Sequence, residues 1–170
     1  MILEDYLVPD LLLRRFRDVT PELLSQWNIR GLICDIDNTL VTYEQPDPSP
    51  EVEAWAKALR AAGIRIVFVS NNEPSRVQRF NKPFGFPAFP DAKKPFGRAF
   101  KKAMRVMGTD RTNTAVLGDQ LFTDALGGKR EGLMTIIVPP IRDKKSLFFR
   151  LKRWMEVPYL NAYRKRHPFA

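Results

Sequence analysis

Short apolar runs alternate with amphipathic stretches along most of the chain. The runs RGLICDID, IRIVFVSN, NTAVLGD and MTIIVPP are typical of strands that are covered on both faces. Between them, stretches such as SPEVEAWAKALRAAG and KPFGRAFKKAMRVMG carry apolar residues at helical spacing. This alternation predicts an α/β fold in which a mainly parallel sheet lies between two layers of helices.

The two ends of the chain lie outside this alternation. Residues 3–24 predict two helical pieces, broken near Pro9 and resumed near Thr20 and Pro21. A basic amphipathic segment occupies residues 142–170. With 170 residues in all, we expect one domain, with its core at about residues 29–140 and extra helices at both ends.

Composition narrows the chemistry that is available. The single cysteine excludes an intramolecular disulfide, and the single histidine excludes a histidine-cluster metal site. Cys34 lies in an apolar run and is expected to be a buried strand residue, because a cysteine-dependent phosphatase would need Arg where this chain has Leu40. Catalysis is therefore expected to use carboxylates, hydroxyls and lysines.

The basic charge is concentrated at the C-terminal end. From Arg142 onward there are nine Lys or Arg and two Asp or Glu. Their net charge of +7 is most of the chain's net charge of +9. Such a local excess predicts contact with an anionic partner, which could be a lipid surface, a nucleic acid or an acidic protein.

Within this tail, SLFFRLKRWMEV predicts a helix with an apolar stripe. The stripe consists of Leu147, Phe148, Leu151, Trp154 and Met155. One interpretation is that the stripe binds an anionic membrane surface. The other is that it packs on the domain and leaves the charges in water. The final YLNAYRKRHPF is basic and aromatic and is also compatible with RNA binding.

The sequence also bears on location. No apolar stretch is long enough to span a bilayer. The acidic residues Glu4, Asp5 and Asp10 fit neither a secretory signal nor a transit peptide. We expect a cytoplasmic protein, peripheral at the inner face of the membrane if the tail binds lipid.

Polar residues follow several of the predicted strands. Asp35 and Asp37 end the first strand, Ser70 and Asn71 end the next, and Asp119 ends a later one. The carboxyl ends of parallel strands meet at one edge of the sheet, where such folds bind ligands. Each stretch alone is also compatible with a turn whose side chains bond their own backbone.

Taken together, the motifs resemble the haloacid dehalogenase (HAD) superfamily of phosphohydrolases. The resemblance rests on DIDNT, SNN, a Lys before Pro95, and GDQLFTD, which occur in this order. It covers residues 29–140 and implies a Rossmann-like three-layer sandwich. The gaps between the motifs hold too few residues for a cap domain, so we expect an open site and a substrate presented on something large.

The resemblance implies roles for these residues. Asp35 would be the nucleophile that forms an aspartyl-phosphate, and Asp37 the general acid and base. Mg²⁺ would be bound by the carboxylates of Asp35 and Asp119 and by the backbone carbonyl of Asp37. Asp124 would support the direct metal ligands without binding the metal itself, or would act through Lys94.

Phosphate binding would involve five further positions. The side chains of Ser70 and Asn71 would donate hydrogen bonds to the phosphoryl oxygens, and Lys94 would supply positive charge. The backbone N–H groups of Asn38 and Thr39 are expected to face the phosphate.

Within the superfamily, the chain looks like the YqeG group of subfamily IIIA, which is similar to mitochondrial phosphatidylglycerophosphate phosphatases. The resemblance implies a lipid phosphomonoester as substrate and a role in phospholipid biosynthesis. Two alternatives stay open. One is a phosphatase for a soluble sugar phosphate, nucleotide or phosphoprotein, and the other is an RNA- or protein-binding module that keeps the scaffold.

Overall fold

A computed structural model describes residues 2–169 and contains one six-stranded sheet in which every strand pair is parallel. The strands are β1 (Leu11–Leu12), β2 (Gly31–Cys34), β3 (Arg65–Val69), β4 (Ala88–Phe89), β5 (Thr114–Gly118) and β6 (Met134–Ile137). The helices are α1 (Ile2–Leu7), α2 (Pro21–Gln26), α3 (Pro50–Ala61), α4 (Pro74–Asn81), α5 (Arg98–Met107), α6 (Leu126–Arg130) and α7 (Leu147–Arg166). A π-helical turn, Leu121–Ala125, leads into α6.

The sheet has the spatial order β1-β6-β5-β2-β3-β4, so β2 lies at its centre. In β2 the side chains of Leu32 and Cys34 face one layer of helices and Ile33 faces the other. The helices α2, α3 and α4 cover the first face, and α5 covers the second. The predicted three-layer α/β sandwich is confirmed, and Cys34 is fully buried as expected.

Helix starts follow from local chemistry. Ser49 caps α3 by accepting a hydrogen bond from the Val52 N–H at 3.2 Å, and Pro50 occupies the first turn. Thr20 caps α2 in the same way at 3.1 Å, so the predicted restart of helix at this point is confirmed. The strand β1 was not predicted, because two residues carry no detectable period and its pairing with β6 depends on residues 125 positions away.

No cap domain is present in residues 2–169. The chain between Thr39 and Ser70 contributes α3 and β3, and the chain between Asn71 and Lys94 contributes α4 and β4. Nor does this part of the chain contain a helix with the length and apolarity needed to cross a membrane.

The C-terminal helix α7 does not pack its apolar stripe on the domain. The stripe residues are exposed, with Leu147 82% and Trp154 72% accessible. The face that meets the domain instead carries Arg153 and the buried Glu156, followed by the buried Tyr163. The expectation that the stripe packs on the domain is therefore wrong, because polar contacts and not the stripe attach this part of the helix.

Candidate active site

The register of the three central strands brings the polar strand ends together. Cys34 in β2 lies opposite Phe68 in β3 and Leu117 in β5. Because the strands are parallel and in this register, the next residues along each strand emerge at the same edge. Asp35 follows β2, Ser70 follows β3, and Asp119 follows β5, as expected from the sequence.

Lys94 joins two carboxylates at this edge. Its Nζ atom lies 2.9 Å from Asp35 Oδ1 and 2.7 Å from Asp124 Oδ1, and all three side chains are buried. Burial alone disfavours the ammonium, but the charges of Asp124 and Asp35 outweigh burial and raise the pKa of Lys94. Lys94 is therefore a fixed positive charge next to Asp35.

Asp35 also lies close to Asp119. Carboxylate oxygens of Asp35, Asp119 and Asp124 lie within 4.8 Å of one another. The Thr39 hydroxyl bridges the first two, at 2.8 Å from Asp35 Oδ2 and 3.2 Å from Asp119 Oδ1. A hydroxyl has one proton, so it can donate to only one of these two buried oxygens at a time.

The electrostatics of this cluster disfavour three charged carboxylates. Burial, together with the charges of Asp35 and Asp124, raises the pKa of Asp119 well above its ordinary value, although Arg153 opposes the shift. Burial also raises the pKa of Asp124, and there Lys94 opposes the shift. A further cation in the cluster would relieve this repulsion.

The donor set fits a hard divalent cation. Both oxygens of Asp124 already accept hydrogen bonds, one from Lys94 and the other from the N–H groups of Asp119 and Gln120. Asp35 and Asp119 each have one oxygen paired with a cationic side chain, Lys94 or Arg153, while their other oxygens face each other across the single Thr39 proton. These two carboxylates could hold a metal directly, and Asp124 is placed to support them.

Asp124 reaches the cluster across a glycine. A Cβ on Gly118 would lie 2.1 Å from the carboxyl carbon of Asp124, so no larger residue fits at position 118 without displacing that carboxylate. The spacing in GDQLFTD therefore has a steric reason, since the π-helical turn folds Asp124 back over the end of β5.

The carboxylate of Asp37 points to a separate set of partners. Arg76 donates to Asp37 Oδ1 from Nη2 at 3.0 Å and from Nε at 3.2 Å. Asn72 donates to Oδ2 at 2.9 Å. The two aspartates of the DIDNT motif thus occupy different environments, and the sequence analysis did not identify Arg76 or Asn72 as members of the site.

Asn71 and Ser70 have local contacts in addition to their expected roles. The Asn71 amide pairs with the backbone of Lys94, accepting from its N–H at 2.7 Å and donating to its carbonyl at 3.2 Å. The Ser70 hydroxyl oxygen accepts from the Asn72 N–H at 3.0 Å. Asn71 therefore positions Lys94, and phosphate binding by both residues stays a prediction.

The N–H groups in the loop after β2 have acceptors within the loop. The N–H of Asn38 donates to the Val41 carbonyl at 2.6 Å, and that of Thr39 donates to the Ile36 carbonyl at 3.3 Å. Both groups are used within the loop, because the chain turns tightly there with a positive φ of 62° at Asn38. Phosphate binding by these two N–H groups stays a prediction, while the Thr39 hydroxyl contacts Asp35 and Asp119.

The helix α7 reaches into the site, which the sequence analysis did not anticipate. Arg153 donates to Asp119 Oδ2 at 2.5 Å and to the Asp119 carbonyl at 2.7 Å. Glu156 pairs with Arg153 at 2.9 Å and accepts from the Leu121 N–H at 2.9 Å. No local sequence signal marks Arg153, since it looks like any solvated residue of a basic helix. Helix α7 therefore contacts the carboxylate cluster directly through Arg153.

A cavity of about 270 Å³ opens beside Asp35 and Lys94. It is lined by Asp35, Asp37, Tyr43, Ser70, Asn71, Asn72, Lys94, Gln120, Thr123 and Lys144. At its mouth, Lys144 Nζ lies 3.5 Å from the centre of the Tyr43 ring. A larger concavity of about 720 Å³ lies between α3 and residues 83–86, where it is lined by none of the clustered carboxylates. Of these two concavities, the smaller one is lined by Asp35, Asp37 and Lys94 and is the candidate site.

Comparison with known proteins agrees with this geometry. The sequence model of the haloacid dehalogenase-like hydrolase family matches residues 42–132, a stretch that begins after Asp35 and Asp37. The protein YqeG of Bacillus subtilis, described as a probable phosphatase, is 37% identical over 165 residues, which is 97% of this chain and 96% of YqeG. The resemblance to the YqeG group is confirmed.

More distant similarity extends to a lipid phosphatase and to a solved structure. Phosphatidylglycerophosphate phosphatase 1 of Arabidopsis thaliana is 23% identical over 173 residues, which cover 95% of this chain and 49% of that protein. The chain therefore spans about half the length of that relative. A subfamily III A HAD hydrolase from Legionella pneumophila has a TM-score of 0.53 at 20% identity, with 85% of this chain and 89% of that chain covered, and shows the same fold.

Proposed function

Because the chain belongs to the haloacid dehalogenase-like hydrolases and is a phosphomonoester hydrolase, we propose that Asp35 is its nucleophile and Asp37 its general acid and base. The observation that carries this proposal is the placement of the two carboxylates. Asp35 is held by Lys94 and Thr39, while Asp37 is held apart by Arg76 and Asn72, and both line one cavity.

In the first step, an oxygen of Asp35 forms a bond to phosphorus and the bond from phosphorus to the alcohol oxygen breaks. Asp37 gives its proton to the departing alkoxide. In the second step, water attacks phosphorus, Asp37 takes a proton from that water, and the bond to Asp35 breaks to release phosphate. Lys94 stays protonated throughout and offsets charge on the phosphoryl oxygens.

Members of this family typically use a divalent metal, and we propose Mg²⁺ bound by Asp35, Asp119 and the Asp37 carbonyl. Supporting this are the oxygen-only donor set and the two buried carboxylates that share one hydroxyl proton. When bound, the metal would lower the repulsion between an anionic nucleophile and a phosphomonoester. Asp124 holds Lys94 and the N–H groups of Asp119 and Gln120, and so keeps the cluster in place.

We propose a lipid phosphomonoester, such as phosphatidylglycerophosphate, as the substrate. The Arabidopsis relative is a phosphatidylglycerophosphate phosphatase, which supports this substrate class. The cavity volume of about 270 Å³ is compatible with it, since such a space admits a phosphorylated head group and leaves acyl chains outside. A substrate of this kind requires the cavity mouth to reach a membrane surface.

The test is a panel of phosphate esters assayed with purified protein and Mg²⁺. It sets phosphatidylglycerophosphate in mixed micelles against glycerol 3-phosphate, a sugar phosphate and a nucleotide. We expect kcat/KM for the lipid to exceed that for the soluble esters by about 100-fold or more, because recognition of the rest of the lipid adds binding energy. Higher kcat/KM for a soluble ester would reject the lipid and favour the soluble-substrate alternative.

The same panel tests the mechanism with Asp35→Asn. This variant keeps the shape of the side chain but loses its anionic nucleophile, so turnover should fall by about 10⁴-fold for every ester. Asp47→Asn is the matched control, because Asp47 is exposed and pairs with Arg79 on the surface. Undiminished turnover by Asp35→Asn would contradict the assignment of the nucleophile.

A further inference from the structure

The exposed stripe of α7 is an apolar surface on a helix that also contacts the candidate site through Arg153. It consists of Leu147, Phe148, Leu151, Trp154 and Met155, hereafter the α7 stripe, and each of these side chains is at least 46% accessible. Single exposed apolar residues are ordinary, but five contiguous ones on one helix face mark an interaction surface.

The position of α7 ties this surface to the cavity. Phe149, on the helix face opposite the stripe, lies 6.3 Å from Tyr43 between ring centres, and Tyr43 lines the cavity. The polar face of the same helix turn holds Asp119 through Arg153 and Gln120 through Lys152. Any partner that covers the stripe therefore lies on the far side of a helix whose other face contacts the site.

The charge of this region distinguishes between partners. Arg150 and Lys145 are exposed near the start of α7, and Arg164 and Lys165 are exposed near its end. Asp143 is the exposed acidic residue nearby and contacts Arg153 at 3.6 Å. A second copy of the chain would bring the same positive charge against this one, whereas an anionic bilayer would attract it.

We propose that the α7 stripe docks on an anionic lipid bilayer, with its apolar side chains at the acyl boundary and the flanking cations among the head groups. This inference deepens the proposed function, on which its biological meaning rests, because docking would hold the catalytic edge within about one helix diameter of the surface where a lipid phosphate is found. Docking itself is a binding event and is measured without turnover.

The test is flotation of the full chain with phosphatidylcholine vesicles, with and without phosphatidylglycerol. Wild type should float with the anionic vesicles and much less with the neutral ones. The double variant Leu151→Ser with Trp154→Ser should lose about 100-fold in affinity, since two large apolar groups no longer enter the bilayer. Both residues are exposed, so the variant should fold normally.

The matched control is Trp27→Ser with Val106→Ser. These residues are also exposed, at 47% and 53%. Trp27 lies at the end of α2 and Val106 lies on α5, so both are outside the α7 stripe. The control should float like wild type. Equal flotation of the two double variants, or no flotation of wild type, would overturn the proposal, as would concentration-dependent dimerisation that is lost only in the stripe variant.

Failure of docking and failure of the proposed function have different readouts. The stripe variant should hydrolyse a soluble ester such as p-nitrophenyl phosphate at the wild-type rate, because neither substituted residue touches the site. Asp35→Asn should float normally and hydrolyse nothing. If wild type floats but no ester is hydrolysed, docking stands and the proposed function fails.

Discussion

Lys94 is the residue on which the charge balance of the site depends. Its ammonium is buried between Asp35 and Asp124 and forms an ion pair with each. Burying three charges costs solvation energy, and only their close contact offsets that cost. Removing the one positive member therefore costs far more than removing an exposed lysine.

The charge balance predicts that Lys94→Met destabilises the protein. Two buried carboxylates would lose their cation, so the free energy of unfolding should fall by about 3–5 kcal/mol. Chemical denaturation measures this difference. The neighbouring Lys93→Met is the matched control, because Lys93 is exposed, and its effect should stay within about 0.5 kcal/mol. Similar losses in both variants would contradict the charge-balance argument.

Among the elements, α7 has the least expected orientation. An apolar stripe usually identifies the face of a helix that packs on its domain. Here Arg153 and Glu156 attach the helix to the loop after β5, and Tyr159 and Leu160 pack in a small apolar cluster with Leu7. The helix is thus fixed to the catalytic edge by one face and offers the other to a partner.

The contact between Arg153 and Asp119 predicts an effect on metal binding. Arg153→Gln removes a positive charge beside a proposed metal ligand, so affinity for Mg²⁺ should rise on the order of tenfold. Isothermal titration calorimetry measures this affinity, and turnover is not needed. Arg164→Gln on the same helix is the control. Arg164 is exposed, and the substitution removes the same charge at a position far along α7. If both variants bind Mg²⁺ equally well, Arg153 does not compete for Asp119.

At the scale of the whole molecule, the parallel sheet concentrates negative charge at one edge of a basic protein. The parallel strands β2 and β5 end at the same edge, and with the π-helical turn after β5 they bring Asp35, Asp119 and Asp124 together in a buried cluster. Their mutual repulsion acts against folding whenever they are ionised and no cation is bound. Stability should therefore depend on pH and on divalent metal together.

The direction of the pH dependence follows from the raised pKa values of Asp119 and Asp124. Above the ordinary carboxyl pKa of 3.8, the folded state still binds protons that the unfolded state has released. The metal-free protein should therefore lose stability as pH rises, by up to about 1.4 kcal/mol per pH unit for each group, until both carboxyls ionise in the folded state. The lowered pKa values of Asp47 and Asp110 act below 3.8 and in the opposite direction.

Denaturation across this pH range, with a chelator or with Mg²⁺, checks the expectation. Mg²⁺ should stabilise the protein most at the higher pH, where the carboxylates are ionised, and should flatten the profile. Asp119→Asn should flatten the metal-free profile as well. A metal-free stability that keeps rising between pH 4 and 7 would contradict the assignment of raised pKa values to these two groups.

The sequence by itself determined the α/β alternation, the strand ends and the residues of the cluster, because apolar period and motif order are local properties. Asp35, Ser70 and Asp119 could be placed at one edge because parallel strands share their polarity. The tertiary structure alone decided the use of the Asn38 and Thr39 N–H groups, the partners Arg76 and Arg153, and the outward face of α7. Those outcomes depend on contacts between residues far apart in the chain, and an amphipathic pattern records that a helix has two faces without recording which of them meets the domain.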